Sequence, residues 1–342
     1  MAGRYTHTLA VKPVTTAGRP ELQEHNMSTH QPTDPLGRIY AEWTEEFIAN
    51  PAMSLQLMRW VFEDWQRATA EPEDVTYQST EIGGVPGILV KPLDADPSQM
   101  LLVLHGGGFA LGSSASHRKF AGHLAHACGT HAFVADFRRA PEHPYPAQIE
   151  DAAAVFDALV TGGTLPTDIT FVGDSAGANI AIAAALTLLR DRNRTPGRVI
   201  AISPWLDMEN SGTTIETNND TDFLITREGL QGNIDRYLSG GASPTDPLVN
   251  PLYADLSGLP PLYITASDIE SLYADATRLY ARARDAGVDV TFDVAADQQH
   301  VFPLQAGVLA AADESISTMA TWYREGRAAS PASPIAFEPT SA

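Results

Sequence analysis

Cysteine occurs once in this chain of 342 residues, as Cys128, so no intramolecular disulfide can form. Its small and apolar neighbours Ala125, Ala127 and Gly129 mark it as a buried hydrophobe on a helix. Basic residues are scarce: 22 Lys and Arg face 42 Asp and Glu, a net charge of −20. Such an excess repels nucleic acid phosphates and anionic lipid surfaces, which argues against polyanionic partners and leaves a solvated acidic surface as the meaning of the charge. No apolar run approaches the roughly 18 residues that a bilayer span needs. Residues 1–30 carry no basic-plus-apolar signal, so a cytoplasmic protein without membrane association is expected. There is no internal repeat.

What is present suffices for a large core: apolar residues make up 44% of the chain and aromatics 8%. Residues 1–32 are polar and aperiodic, as expected of a flexible extension, and residues 326–342, rich in Ala, Ser and Pro, read as a disordered tail. Between Ile39 and Ala70 the apolar residues fall at helical spacing with an interruption at Pro51, which predicts two amphipathic helices within residues 33–72. Val75, Tyr77 and Ser79 alternate with polar neighbours, and after Gly83-Gly84 a second apolar stretch returns, a hairpin signal. Short apolar runs then follow at 100–104, 132–135, 169–172, 199–202, 262–265 and 288–294, separated by helical stretches. That alternation predicts an α/β domain over residues 73–325, with a mostly parallel sheet and helices on both faces. Its chemistry belongs beyond the carboxyl ends of the strands.

Three constellations stand at those ends. Gly173-Asp174-Ser175-Ala176-Gly177 follows the run 169–172 and precedes a helical stretch, the setting of a nucleophile elbow, in which the flanking glycines let strand and helix approach closely. His105-Gly106-Gly107-Gly108-Phe109 follows the run 100–104, and consecutive glycines leave backbone N–H groups free to converge. Gly107 and Gly108 are the candidate oxyanion donors, with the N–H of Ala176 as the third. His300 follows the last run, where a general base is needed. The acid that orients it is sought after the run 262–265, where Asp268 and Glu270 compete.

Taken together these motifs resemble the hormone-sensitive-lipase family of esterases, in particular its bacterial members and the monoterpene epsilon-lactone hydrolases. The resemblance covers about residues 75–325. It is carried by His105 to Phe109 with Gly112-Ser113 and Ser116-His117-Arg118, by Asp136 to Pro144, by Gly173 to Gly177 and by His300-Val301-Phe302. It implies an α/β-hydrolase catalytic domain and favours Glu270 over Asp268, since Leu272 and Asp275 follow Glu270 in the family's manner. It also implies that the N-terminal helices and about residues 205–245 form a cap over Ser175. Phe137, Arg139 and Ser271 depart from the family's more frequent Tyr, Leu and Pro.

Trp43, Phe47 and Trp205 are the candidate substrate-binding aromatics, and Leu55 and Leu57 candidate apolar cap residues. His123 and His126 lie three apart on a helix without a third ligand in view, so no metal is expected, and no cofactor. Asp136 and Glu142 are assigned to structure. The expected activity is hydrolysis of a small-molecule ester or lactone through an acyl-enzyme on Ser175. An amidase or deacetylase with the same triad, or a ligand-binding protein on a hydrolase scaffold, is the alternative. Homo-oligomers are compatible with the sequence.

Overall fold

The computed structural model of the protein describes residues 34–328. The expected extension over residues 1–32 and most of the expected tail lie outside the described residues. The description begins with α1 (Pro35–Ala49). Asp34 caps it by accepting a 2.9 Å hydrogen bond from the Gly37 N–H, and Pro35 takes the first helical position, where a missing N–H is no loss. Pro51 lies just beyond its end, and α2 (Leu55–Phe62) starts anew under a Ser54 cap. The second expected helix is thus shorter in α form than the apolar spacing suggested. Glu63–Ala68 winds on as a 3-10 turn, which brings Trp65 into one aromatic cluster with Tyr40, Trp43 and Phe62.

The expected hairpin pairs β1 (Val75–Ile82) with β2 (Val85–Pro92). There follow β3 (Asp96–Leu104), α3 (Ser114–Cys128), β4 (Thr130–Ala135), α4 (Ala147–Thr161), β5 (Ile169–Asp174), α5 (Ala176–Arg192) and β6 (Arg198–Ile202). The short α6 (Thr214–Thr217) and α7 (Arg227–Tyr237) precede β7 (Leu262–Ser267). The chain continues with α8 (Tyr273–Asp285), β8 (Val290–Ala295) and α9 (Ala310–Ala328). The strand expected from residue 288 starts only at Val290, because Gly287 and Val288 close α8 with N–H bonds to the Arg284 and Ala283 carbonyls at 3.0 and 2.9 Å. Residues 326–328, expected in the tail, instead continue α9, where the bare Gly326 lets the helix pass close to the Arg198 guanidinium. Among the described residues no helix is long and apolar enough to cross a membrane.

One sheet holds the strands in the order β1-β2-β4-β3-β5-β6-β7-β8, with β2 antiparallel to both neighbours and the remaining pairs parallel. Alternate residues of the central strands feed two apolar layers. Leu102, Leu104, Phe133 and Phe171 pack with α4, α5 and α8 on one face, and Leu101, Val103, Val134 and Tyr263 pack with α1, α3 and α9 on the other. Burial on both faces is why these strands read as unbroken apolar runs. The strand order reverses beside β3, since β4 lies on one side of it and β5 on the other. Loops leaving β3 and β5 therefore diverge, which opens a crevice at the carboxyl edge of the sheet.

At that crevice three elements meet backbone to backbone. A Cβ on Gly177 would stand 1.9 Å from the Leu104 carbonyl oxygen, and one on Gly173 2.2 Å from the Gly177 carbonyl oxygen. Neither neighbour is a flexible side chain that could swing aside. Gly177→Ala should therefore lower stability by at least about 3 kcal/mol, measured by chemical denaturation. An unshifted unfolding midpoint would show that the contact can relax at little cost.

Candidate active site

Ser175 links β5 to α5 with φ 52° and ψ −121°, a conformation that costs a non-glycine residue energy. Its neighbours hold it there: the Ser175 N–H donates to the Ile202 carbonyl at 2.9 Å and the Ser175 carbonyl accepts from the Trp205 N–H at 3.1 Å. Ala176 is the first residue of α5, so its N–H is one of the donors a helix leaves without an internal acceptor.

The loop after β3 brings Gly107 and Gly108 to the same cavity as Ser175. At Gly108, φ 60° strains any other residue, and an added Cβ would also lie 2.3 Å from Asn233 Nδ2 on α7, which would have to move aside. The Ala110 and Leu111 N–H groups tighten the loop by donating to the Gly107 carbonyl at 3.2 and 2.8 Å. Among the described residues no acceptor takes the N–H of Gly107 or Gly108. Asp174 pins the loop from below: its Oδ1 accepts from the Gly106 N–H at 3.0 Å, and His117 Nε2 stands 3.3 Å from the same oxygen. Burial pushes the Asp174 carboxyl up, but His117 and the Gly106 N–H outweigh it and keep the group below the usual carboxylate range. His105 goes down to about 4 through burial and the neighbouring His117, so it is a neutral ring at pH 7, stacked on Phe137 at 4.2 Å.

His300 occupies the loop after β8, and its Nδ1–H donates to Glu270 Oε2 at 2.6 Å. Glu270 Oε1 accepts from the Ser267 N–H at 2.7 Å, so both carboxylate oxygens are engaged and the group is fully buried. Asp268, the competing acid, is exposed and accepts from the Asp297 N–H at 3.0 Å instead. Burial would lower the His300 pKa, yet the Glu270 hydrogen bond and charge prevail and hold it above the ordinary 6.5. Its Nε2 has no hydrogen-bond partner, and His300 lines the cavity together with Ser175. No hydrogen bond joins Nε2 to Ser175 Oγ in this geometry; such contacts commonly tighten only around bound substrate.

Residues that carry no sequence motif position this pair. The Tyr40 hydroxyl donates to the His300 carbonyl at 3.0 Å and accepts from Trp65 Nε1 at 3.0 Å. Ser203 Oγ accepts from the Val301 N–H at 3.1 Å and helps hold Val301 at φ 54°, an unusual conformation for a β-branched residue. Asp222 bridges two segments: Oδ2 accepts from the Ser271 N–H at 2.8 Å, while Oδ1 takes the Leu224 and Ile225 N–H groups at 3.0 and 2.9 Å. Among the positioning residues only Asp174 carries a sequence signal, as the second residue of the elbow motif.

The cavity has a volume of about 590 Å³. Phe47 and Trp205 line it, whereas Trp43, Leu55 and Leu57 do not. Trp43 sits one turn before Phe47 and stacks on Phe62 at 4.4 Å, so Phe62 and Trp65 stand between it and the cavity. Leu57 faces solvent and Leu55 packs among its neighbours at the helix start. Met58, Leu224, Ile225 and Leu230 complete the apolar wall. Elsewhere, His123 Nε2 bonds to the Ala70 carbonyl at 3.0 Å, Asp136 holds the start of α3 through Ser114, and Glu142 pairs with Arg59 at 2.6 Å.

The family model described as the alpha/beta hydrolase fold matches residues 101–304. An acetyl-hydrolase of Streptomyces hygroscopicus is 36% identical over 274 residues, which cover 75% of this chain and 90% of the relative. An esterase of Acinetobacter venetianus is 35% identical over 235 residues, covering 69% and 77% respectively. Among solved structures, an esterase from the bacterial hormone-sensitive lipase family superposes with a TM-score of 0.81 at 33% identity, covering 86% of this chain and 99% of its own. The chain belongs to the alpha/beta hydrolase fold family. It is a carboxylic ester hydrolase.

Glu270→Gln should lower kcat by a factor on the order of 10⁴, as expected for loss of the acid that fixes the base's tautomer. Asp268→Asn should cost far less, and steady-state kinetics showing the reverse ranking would transfer the role. The pH profile offers a second check. His300 accepts a proton only when neutral, so kcat/KM should rise with pH through a midpoint above 6.5. In Glu270→Gln the carboxylate charge is gone and any remaining hydrogen bond is to a neutral amide, while burial remains, so the midpoint should move to lower pH. A wild-type midpoint at or below 6.5 would contradict the assigned partnership.

Proposed function

We propose that this protein hydrolyses short-acyl esters through an acyl-enzyme on Ser175, with His300 as general base and Glu270 as the acid that orients it. The observation that carries this reading is the buried 2.6 Å bond from His300 Nδ1–H to Glu270, with Nε2 left unpartnered in the cavity that Ser175 lines. Ser175 Oγ attacks the ester carbonyl carbon as its proton passes to His300 Nε2. The N–H groups of Gly107, Gly108 and Ala176 stabilise the resulting oxyanion. Collapse breaks the ester C–O bond, and His300 returns the proton to the departing alcohol. Water then attacks the acyl-serine, giving its proton to His300 and its oxygen to the released acid, and Ser175 regains its proton.

Substrate size is read from the cavity and from the relatives. Its volume of about 590 Å³ falls within the roughly 300–1,000 Å³ typical of small-molecule sites, and its wall is mainly apolar. The acetyl-hydrolase name of one relative supports a short acyl group. In this reading α1, α2 and the segment around α7 act as the cap, and hydrophobic lactones are a second substrate group, supported by the apolar wall. A lactone is an internal ester, so the same groups open it while the alcohol stays tethered.

Fluorophosphonate labelling with peptide mapping should place the adduct on Ser175, and Ser175→Ala should abolish both labelling and turnover. The substrate range is tested by comparing kcat/KM for p-nitrophenyl acetate, butyrate, octanoate and palmitate with an alkyl-substituted ε-lactone and a macrocyclic lactone. Acetate or butyrate should be the best ester. Palmitate in first place would defeat the size argument, and lactones left intact would confine the activity to open-chain esters.

A further inference from the structure

The apolar cavity carries an arginine that nothing in the hydrolysis of a simple ester calls for. Arg236, on the last turn of α7, lines it, and its guanidinium folds back along the helix: Nη1 donates to Asn233 Oδ1 at 3.0 Å and lies 3.4 Å from where a Cβ on Gly232 would stand. Gly232 and Asn233 line the same cavity. Arg59, Arg118, Arg138, Arg227 and Arg278 each hold a carboxylate. Arg236 holds none among the described residues, in a chain with 42 acidic residues to choose from. Glu228 also lines the cavity but is exposed at the other end of α7, about 12 Å away along the axis at 1.5 Å per residue.

Asn233 extends the same surface towards the reacting centre. Arg236 can only donate, so Asn233 must present its oxygen to it and turn its amide nitrogen away. That Nδ2 stands 2.3 Å from the position of a Cβ on Gly108, beside the loop that offers its N–H groups to the oxyanion. Among the described residues no acceptor takes the Asn233 amide protons, and the guanidinium retains further unused donors. Both side chains are half-buried at the cavity wall, so water meets these donors in the free protein, and a ligand oxygen that displaces it gains charge-assisted hydrogen bonds beside apolar surface. A guanidinium fork pairs with a carboxylate through two parallel N–H···O bonds, and a carboxylate is an anion small enough to be carried by a short ester.

We propose that Arg236 and Asn233 form a subsite for a carboxylate carried by the ester substrate, so that the preferred substrates are short esters bearing an acidic group a few bonds from the scissile carbonyl. The inference rests on the ester-hydrolase reading and narrows its substrate class. An uncharged carbonyl would engage the donors less well for its lack of charge.

The test compares matched pairs differing in one carboxylate: p-nitrophenyl hemiglutarate with p-nitrophenyl pentanoate for the acyl half, and 4-carboxyphenyl butyrate with phenyl butyrate for the alcohol half. The quantity read is the ratio of kcat/KM within each pair. In at least one pair Arg236→Gln should lower that ratio by about tenfold or more, the worth of a charge-assisted hydrogen bond, and Arg236→Lys should restore part of it. A ratio unchanged in both pairs would overturn the subsite while leaving the esterase intact. No turnover of the neutral esters by the wild type would instead overturn the esterase reading. A measurement on the wild type alone adds an independent check: glutarate should inhibit p-nitrophenyl butyrate hydrolysis at a concentration about tenfold or more below that needed for the neutral glutaramide. Equal inhibition by the two would also overturn the subsite.

Discussion

The Leu104 carbonyl oxygen occupies the space that a Cβ on Gly177 would need, and from this contact between β3 and the start of α5 much of the site's geometry follows. Because the backbones touch, the loop leaving β3 and the first turn of α5 are held together at one cavity, where the proposed mechanism uses their N–H groups. Gly107 and Gly108 come from one side and Ala176 from the other, with Ser175 held between them in a costly conformation. Asp174 reinforces the junction with its bond to the Gly106 N–H. Backbone donors fixed in this way need little reorganisation as charge develops, which is where electrostatic catalysis gains most. The price is paid in sequence freedom: glycine at 107, 108, 173 and 177, and a strained serine between the last two.

His300, the base of the proposed mechanism, arrives by a different route, and the N-terminal helices are part of it. Tyr40 bonds the His300 carbonyl, Leu36 N–H donates to Gln305 at 3.2 Å, and Ala70 N–H donates to the Ala306 carbonyl at 3.0 Å. Thr69 adds a bond to Leu304. The segment that supplies Phe47, Met58, Phe62 and Trp65 to the cavity wall thus also braces the histidine loop. Wall and base are therefore mechanically coupled, so removing the helices would disturb the chemistry as well as the binding.

Much of this was legible from residue order alone. Strand ends were marked by glycine motifs, and the elbow, glycine loop and histidine each fell after an apolar run of the expected length. Choosing between Asp268 and Glu270 needed more than spacing, because both follow β7 within three residues; the turn after the strand buries one and exposes the other. The assignment of Trp43 to the cavity failed for a related reason. Helical spacing identifies an apolar face but not which turn of it meets the core and which meets the cavity. Tyr40, Ser203 and Asp222 left no trace because the bonds that brace the histidine and acid loops span 49 to 260 residues, and Asn233 and Arg236 because helical spacing does not say that their turn of α7 meets the cavity.

Asp222 ties the loop that carries Glu270 to the segment that begins the cavity wall, one oxygen serving each. A single carboxylate is thereby shared between the part of the molecule that must stay constant for catalysis and the part that must vary to recognise new molecules. Variation is then channelled. The side chains of Leu224, Ile225 and Leu230 can change while their backbone stays anchored, so the wall can be resculpted without loosening the acid. Insertions that displace this anchor would retune the base while altering the pocket. Diversification of this scaffold is thus expected to proceed by exchanging side chains beyond residue 222 and by lengthening the chain further along, towards α7, leaving the hinge between recognition and chemistry in place.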